Sequence, residues 1–134
     1  MTWNSTLTRK TPLKATGARK REAKPMKRNR KGISAADRAY LNACRGQRCY
    51  LAIPGVCRGD IATVVPCHAN WAEYGKGMGR KADHTFTVPG CMLCHAELDQ
   101  GRHLTREQRR AVWESAYSEW RLVRPRVLNA KPAA

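Results

Sequence analysis

Apolar side chains repeat at helical spacing on both sides of the middle of the chain, and each repeat predicts an amphipathic helix. The first lies between Ile33 and Gln47, where Ser34 and Asp37 form a short version of the capping box. Its apolar stripe consists of Ala36, Tyr40, Leu41 and Cys44. Because Cys44 lies on this stripe, we expect it to be a buried small apolar residue rather than a metal ligand.

The second helical repeat runs from Leu104 to Arg124, and Thr105 with Gln108 matches the capping box at its start. Its predicted buried stripe, with Trp113 beside it, consists of Val112, Ala116, Trp120 and Val123. Charged residues cover the opposite face, so core packing is a better interpretation of this helix than a role in a DNA groove. From Pro125 onward the sequence indicates a frayed C-terminal tail, residues 125–134.

Between these two repeats, apolar and polar residues alternate, which predicts β-strands. One strand is predicted over residues 61–70, and a second over residues 84–90, where a proline-glycine pair stops it. A helix from Met92 to Gly101 follows the second strand. Upstream, a short strand at Tyr50–Ile53 leads into a turn at Pro54-Gly55. The predicted order in the centre is therefore strand, long loop, strand and helix.

The long loop between the two predicted strands is rich in glycine and in basic residues. Its positive charge comes from Lys76, Arg80 and Lys81, which are interspersed with three glycines. The loop lacks the G-x-x-x-x-G-K-[ST] pattern of nucleotide-binding phosphate loops. We interpret it as a flexible basic loop that lies against a nucleic-acid backbone, although an unusually long hairpin connection is the alternative.

The formal net charge of +16 is concentrated near the N-terminus. Residues 1–32 contain eleven Lys or Arg residues and one acidic residue, Glu22, so this quarter of the chain carries +10. Few apolar side chains and several helix-breaking residues predict a disordered arm that binds phosphates without sequence preference. The arm shows no amphipathic apolar face, which argues against a role at a membrane surface.

The sequence shows neither an apolar run long enough to span a bilayer nor a secretory signal, so we expect a cytoplasmic protein. In a reducing cytosol, six cysteines favour metal ligation over a disulfide framework. One folded domain is expected over residues 33–124, and a structural metal would help to hold its modest core.

Four of the cysteines have the arrangement of a structural zinc site. Cys91 and Cys94 form a C-x-x-C, the spacing that lets two thiolates share one zinc ion. Cys49 and Cys57 flank the short strand and turn, and a hairpin there would bring their thiolates together. We predict that the two pairs complete one tetrahedral site. The alternative is that Cys49 and Cys57 are unrelated buried cysteines.

A second constellation involves histidine and aspartate. His95 and Asp99 are four residues apart on the helix after the second strand, so they project from one face. Cys94 and His95 are sequence neighbours and should point to different sides, which predicts a separate, open metal site of catalytic type. His68 lies where the first strand gives way to the loop, a usual position for chemistry on a rigid support.

These residues fall in four segments that resemble a known nuclease superfamily. The segments, between residues 47 and 101, are RCYLAIPGVCRG, CHAN, GKGMGRKADH and VPGCMLCHAELDQG. They resemble the HNH, or ββα-metal, endonuclease superfamily, and more closely the small YbcO-like family of phage and prophage nucleases. There is also a likeness to the Ref-type recombination nucleases. The pattern C-x-x-C-H-x-x-x-D in the last segment is the most specific part of the resemblance.

The resemblance implies a small α+β fold with a ββα-metal, treble-clef-like core, a four-cysteine structural zinc site and flanking helices. It implies a metal-dependent DNA endonuclease that leaves 5′-phosphate and 3′-hydroxyl ends, with Mg²⁺, Mn²⁺ or Zn²⁺ as the catalytic ion. The DNA substrate could be branched or single-stranded, and recombination proteins are candidate partners. The implied setting is the cytoplasm of a bacterial host cell.

Carried over to this chain, the resemblance assigns the general base to His68 and ligands of the catalytic metal to His95 and Asp99. The middle position of the motif falls either at His84, as a catalytic residue, or at Asp83, as a further metal ligand.

The resemblance also assigns roles around this core. Arg80 and Lys81 would hold the flanking DNA backbone, with Lys76 beside them, and Arg80 would support catalysis. The chain departs from the family at Cys67, because many members have a metal-binding Asp or His before the base. The number of ligands and the identity of the catalytic ion therefore stay open.

Two other functions fit parts of the sequence. A non-catalytic, zinc-stabilised nucleic-acid-binding module would use the basic arm and the four cysteines, but it would not need His68, His95 and Asp99. An RNA nuclease would use the basic arm, the four cysteines and the His68, His95 and Asp99 set alike. This function stays open because no feature of the sequence distinguishes RNA from DNA by its 2′-hydroxyl.

Overall fold

The structure, a computed structural model, describes residues 32–130, which form a small α+β domain with one two-stranded sheet. The elements in this range are α1 (Ala35–Cys44), β1 (Val65–His68), β2 (Thr87–Gly90), α2 (Met92–Gln100) and α3 (Arg106–Ala130). The predicted basic arm, apart from Gly32, and residues 131–134 of the predicted tail lie outside the described residues. None of the helices between residues 32 and 130 has the length and apolarity needed to cross a bilayer.

The sheet pairs β1 and β2 antiparallel, and both strands are shorter than the sequence predicted. The register places Val65 opposite Gly90 and His68 opposite Thr87. The predicted start of β1 is wrong because residues 61–63 form a 3₁₀ turn, in which Asp60 accepts a hydrogen bond from the Ala62 N–H at 3.0 Å. The predicted start of β2 is also wrong, because the strand begins at Thr87, whereas it ends at Gly90 as predicted and has Pro89 inside it. Both strands of a two-stranded sheet are edges, where proline is tolerated.

The segment at Tyr50–Ile53 is not the predicted strand. Its backbone hydrogen bond to the sheet runs from the Tyr50 N–H to the Pro89 carbonyl oxygen, at 2.8 Å. Ala52 then adopts a φ of 39°, which ends any extended run. The turn at Pro54-Gly55 is present, and hydrogen bonds from the Val56 and Cys57 N–H groups to the Ile53 carbonyl oxygen close it.

A close approach explains the glycine at the end of β2. A Cβ atom on Gly90 would lie 2.6 Å from both Cys67 Sγ and Leu51 Cδ1. The missing side chain therefore lets the segment before Ile53 pack directly on the sheet, over the fully buried Cys67.

Helix α3 begins as predicted, with a reciprocal capping box. The Gln108 N–H donates to Thr105 Oγ1 at 3.2 Å, and the Thr105 N–H donates to Gln108 Oε1 at 2.8 Å. The buried face is rotated from the predicted stripe: Trp113 and Trp120 are fully buried, whereas Val123 is exposed. Trp113 Nε1 donates to the Cys67 carbonyl oxygen at 3.3 Å, which fixes the helix against β1.

The predicted end of α3 is wrong, because the helix continues through Pro125 to Ala130. A proline inside a helix costs about 3 kcal/mol, since one hydrogen bond is lost and the ring crowds the preceding turn. Beyond it, Val127 and Leu128 pack with Trp120 against the buried Cys44 of α1. This packing offsets the cost of the proline, and it places Cys44 in the core, as expected.

Candidate metal centre and active-site cleft

The two cysteine pairs meet at one point. The Sγ atoms of the four residues all lie within 4.8 Å of one another, and the residues are Cys49, Cys57, Cys91 and Cys94. The turn at Pro54-Gly55 folds the first pair together, while the second pair lies at the N-cap and in the first turn of α2. The predicted convergence is confirmed: these side chains form a four-cysteine cluster that could hold a metal ion, and the alternative of two unrelated cysteines is wrong.

Backbone N–H groups point at every sulfur atom of this cluster. The donors are Ala52 and Cys91 to Cys49, at 3.5 and 3.2 Å, Gly59 to Cys57, Cys94 to Cys91, and Ile53 to Cys94. Donors of this kind stabilise thiolates, the form of cysteine that binds metals. Four soft, convergent sulfur atoms fit a tetrahedral ion such as zinc, and they leave no coordination position for a substrate.

The pKa values of the thiols indicate how a cation would stabilise the cluster. Burial raises the pKa of the thiols of Cys57 and Cys94. Burial acts in the same direction on Cys91, but hydrogen bonds from the Cys94 backbone and from neighbouring thiols outweigh it and lower the pKa. The thiol of Cys91 is thus easier to ionise than those of Cys57 and Cys94, because further negative charge in a small buried volume is unfavourable without a positive ion.

Two histidines meet on the other side of α2. His68, at the end of β1, has its Nε2 atom 3.0 Å from Nδ1 of His84, and the rings lie edge to face. Burial, followed by the nearby charges of His84 and Lys81, lowers the pKa of His68 to about 4. His68 is therefore neutral at pH 7, which is the form that can accept a proton.

His84, rather than Asp83, is the neighbour of His68. Asp83 is exposed and lies beside Gly75, on which a Cβ atom would be 3.4 Å from Asp83 Oδ2. The backbone of His84 is held in place by Thr87, whose Oγ1 donates to the His84 carbonyl oxygen at 2.8 Å. Of the two residues that the sequence left open for the middle position, the structure brings His84 to the histidine pair.

A chain of polar contacts connects α2 with the basic loop. His95 Nε2 lies 3.2 Å from Asp99 Oδ2, so the two side chains share a helix face. Asn70 Nδ2 donates to Asp99 Oδ1 at 2.6 Å, and Lys76 Nζ donates to Asn70 Oδ1 at 2.5 Å. Hydrogen bonds from His95 and Asn70 lower the pKa of Asp99, which keeps it ionised. We call Lys76, Asn70 and Asp99 the polar bridge.

Asn70 was not among the predicted site residues, although the sequence held a signal for it. Asn70 follows His68 by two residues, and side chains two apart along an extended chain point to the same side. The same alternation that oriented His68 therefore also oriented Asn70.

The His68–His84 pair and the His95–Asp99 pair both line one cleft of about 770 Å³, which we call the histidine cleft. The predicted site residues among its lining are His68, His84, His95, Asp99, Lys76 and Lys81. Arg80 and Asp83 do not line it. Within residues 32–130, the thiol cluster is the only group of three or more Cys, His, Asp or Glu side chains close enough to share one ion. The His95–Asp99 pair in this cleft offers two ligand-type side chains at 3.2 Å from each other.

The basic loop is more ordered than the sequence suggested. Residues 72–74 form a 3₁₀ turn, and Gly77 and Arg80 exchange backbone hydrogen bonds of 3.1 and 3.0 Å across a two-residue turn. Glu73 at its start is bound by Arg110 of α3 at 2.5 Å. These contacts hold Lys76 and Lys81 at the cleft while Arg80 lies exposed beyond it.

Cys67, where the chain departs from the resemblance, lies outside the thiol cluster and the histidine cleft. Its side chain is fully buried beneath Gly90, and burial strongly raises the pKa of its thiol. The described residues place no group of further Cys, His, Asp or Glu side chains around this thiol, so it belongs to the core and not to a metal site.

Comparison with known proteins gives one family. The family model described as "Putative nuclease YbcO" matches residues 39–123. Two curated proteins of the same description, from Escherichia coli (strain K12) and from Enterobacteria phage 82, are each 36% identical over 61 residues. The match covers 46% of this chain and 62% of each relative, so the chain spans less than two thirds of their length. No solved structure matches the chain.

Proposed function

The chain belongs to the "Putative nuclease YbcO" family, and on that premise we propose that it is a metal-dependent DNA endonuclease of the HNH type. The observation that carries this proposal is the histidine cleft, in which the neutral His68 faces the same space as His95 and Asp99. A module that only binds nucleic acid would have no use for a half-buried proton acceptor beside a pair of metal-type ligands.

The cleft residues fit hydrolysis of a phosphodiester. His95 and Asp99 would hold the catalytic divalent ion, Mg²⁺, Mn²⁺ or Zn²⁺, which supplies positive charge for the phosphoryl oxygens and the departing 3′-oxygen. His68 would take the proton from the attacking water as the new P–O bond forms, and breaking the bond from phosphorus to the 3′-oxygen, which then takes up a proton, would leave a 5′-phosphate and a 3′-hydroxyl. Asn70 keeps the Asp99 carboxylate in place through their 2.6 Å hydrogen bond.

His84 would set the tautomer of His68. A neutral imidazole has one donor and one acceptor nitrogen, and a single proton lies between His68 Nε2 and His84 Nδ1. If His68 Nε2 donates that proton, Nδ1 of His68 is the acceptor that remains for water. In the opposite tautomer His68 would have no acceptor left, so His84 acts as a positioning residue.

The thiol cluster would hold a structural zinc ion, because a closed set of four thiolates stabilises a fold but has no open position for chemistry. Lys76 and Lys81 at the histidine cleft, with Arg80 on the exposed turn, would contact the DNA backbone. By its resemblance, the protein would act in recombination in the bacterial cytoplasm, as a phage- or prophage-derived enzyme.

A nicking assay tests the proposed function. Supercoiled plasmid, single-stranded DNA, branched DNA and RNA are each incubated with the protein and Mg²⁺, Mn²⁺, Zn²⁺ or EDTA. We expect metal-dependent cutting of at least one DNA form and none in EDTA. Cutting of RNA alone would make the protein an RNA nuclease. Binding without cutting of any substrate would establish the zinc-stabilised binding module instead.

Replacing Asp99 with alanine should lower cleavage by about 100-fold or more, because a bound cation supplies several kcal/mol of transition-state stabilisation. Raised Mn²⁺ should restore part of the activity, since His95 remains as a ligand. Metal titrations of the nicking rate, compared with those of Glu107→Ala on the exposed start of α3, measure this effect. An unchanged metal dependence in Asp99→Ala would remove Asp99 from the catalytic site.

Deleting residues 1–32 should weaken DNA binding and flatten its salt dependence, because eleven basic side chains are lost. On B-DNA, the slope of log K against log salt falls by about 0.9 for each phosphate contact removed. Fluorescence anisotropy between 50 and 200 mM salt measures the slope, and deletion of residues 131–134 is the control. Equal slopes for the two deletions would show that the arm does not contact phosphates.

A further inference from the structure

A second cleft, of about 540 Å³, adjoins the histidine cleft at the polar bridge. The two clefts share all three bridge residues, Lys76, Asn70 and Asp99. The new cleft adds two arginines from the first turns of α3, Arg106 and Arg109. We call it the arginine cleft.

The arginines of this cleft are placed against the preference of their own helix. Positive side chains are unfavourable at a helix N-terminus, where the backbone dipole is already positive. Yet Arg106 is the first residue of α3, and Arg109, three residues later, lies on the same face. Glu107 in the same turn offsets part of this cost, and the helix end and the two arginine side chains together attract an anion.

The contacts of Arg109 support the same conclusion. Its Nη2 group donates to the Gly101 carbonyl oxygen, which fixes the guanidinium at the wall of the cleft. Its Nε atom is buried and has no hydrogen-bond partner among the described residues. Glu97 fixes the segment before α3, because its buried carboxylate accepts hydrogen bonds from the His103 and Leu104 N–H groups at 2.9 and 3.1 Å. The cleft wall is therefore built in advance of any ligand.

We propose that the arginine cleft binds a backbone phosphate of the nucleic-acid strand that is cut in the histidine cleft, with Arg106 and Arg109 as its ligands. This proposal rests on the proposed nuclease function. Asp99 on the shared bridge is negative and already bonded to Asn70 and His95, so the phosphate contacts Arg106, Arg109 and Lys76 instead. The strand crosses the polar bridge, and the substrate is a polynucleotide long enough to occupy both clefts.

The test is Arg106→Gln, because Arg106 is exposed and its loss leaves the Arg109–Gly101 contact intact. Arg121→Gln is the matched control, since Arg121 is exposed on α3 and lies outside both clefts. Affinity for a fluorescein-labelled 20-nucleotide DNA, measured without added Mg²⁺ or Mn²⁺, should fall about five- to tenfold in Arg106→Gln, with a salt slope smaller by about one contact. Arg121→Gln should change it less than about twofold. Arg106→Lys should keep the slope, because it keeps the charge.

A set of oligonucleotides with one neutral methylphosphonate each locates the contact. At one position, neutralising the phosphate should weaken binding to the wild type but not further weaken binding to Arg106→Gln. Equal effects of the Arg106 and Arg121 variants, or independent effects at every position, would overturn the proposal. Failure of the nuclease function would appear separately, as wild-type protein that binds the DNA but does not cut it when metal is added.

Discussion

Replacing His68 with alanine should lower the rate of plasmid nicking by about 10²- to 10⁴-fold, the usual contribution of a positioned general base. The substitution removes the proton acceptor but leaves the His95–Asp99 pair and the four thiols untouched. Zinc content, thermal unfolding and DNA affinity should therefore stay close to those of the wild type. Added Mn²⁺ should not restore cutting, in contrast to Asp99→Ala.

His103→Ala is the matched control, because His103 is an exposed histidine before α3 that lies outside the histidine cleft. It should cut DNA at the wild-type rate. Equal cutting by wild type and His68→Ala would mean that the activity is a contaminant or that His68 is not the base. The pH profile gives a second check: with the pKa lowered to about 4, His68 stays in its basic form until the pH falls towards that value. A His68-dependent loss of rate near pH 6.5 would contradict its burial.

Replacing Cys91 with serine should unfold much of the domain. Structural zinc contributes about 10–16 kcal/mol in small zinc-binding domains at pH 7, as much as or more than the whole stability of a typical domain. Cys91 belongs to the thiol cluster, with its Sγ 3.9 Å from that of Cys57, so its replacement leaves only three thiols to hold the ion. Circular dichroism and elemental analysis of protein purified without chelator should show lost structure and less than one zinc per chain.

Cys67→Ser provides the comparison for this result, since it makes the same exchange in a buried cysteine outside the cluster. It should cost about 1–3 kcal/mol for burying a hydroxyl, with zinc content unchanged. Wild-type protein that contains no metal, or Cys91→Ser that is as stable as Cys67→Ser, would exclude a structural metal in the thiol cluster.

Features that depend on near neighbours could be predicted from the sequence. The capping box of α3, the start of α2 and the shared face of His95 and Asp99 follow from spacings of three or four residues. The convergence of the four cysteines was also predicted, because a turn and a C-x-x-C each bring two thiols together.

Features that depend on distant contacts could not be predicted in this way. Helix α3 passes Pro125 because Val127 and Leu128 meet a surface formed by α1, roughly eighty residues earlier in the sequence. Which of Asp83 and His84 lies beside His68 depends on how the basic loop folds back, and the local sequence pattern does not distinguish these two neighbouring residues. The polar bridge was missed for the same reason, since Asn70 gains its meaning only from Asp99.

The thiol cluster changes how inhibition by chelators must be interpreted. Residues 58–90, which include both strands and the basic loop, lie between its two cysteine pairs. A bound metal would therefore join the two ends of this segment. EDTA can then stop cutting in two ways, by rapid and reversible removal of an exposed ion or by slow extraction of a buried one with collapse of the scaffold. Only the time course separates them: activity that returns at once on adding Mg²⁺ reports the histidine cleft, whereas activity that requires refolding with Zn²⁺ reports the cysteines.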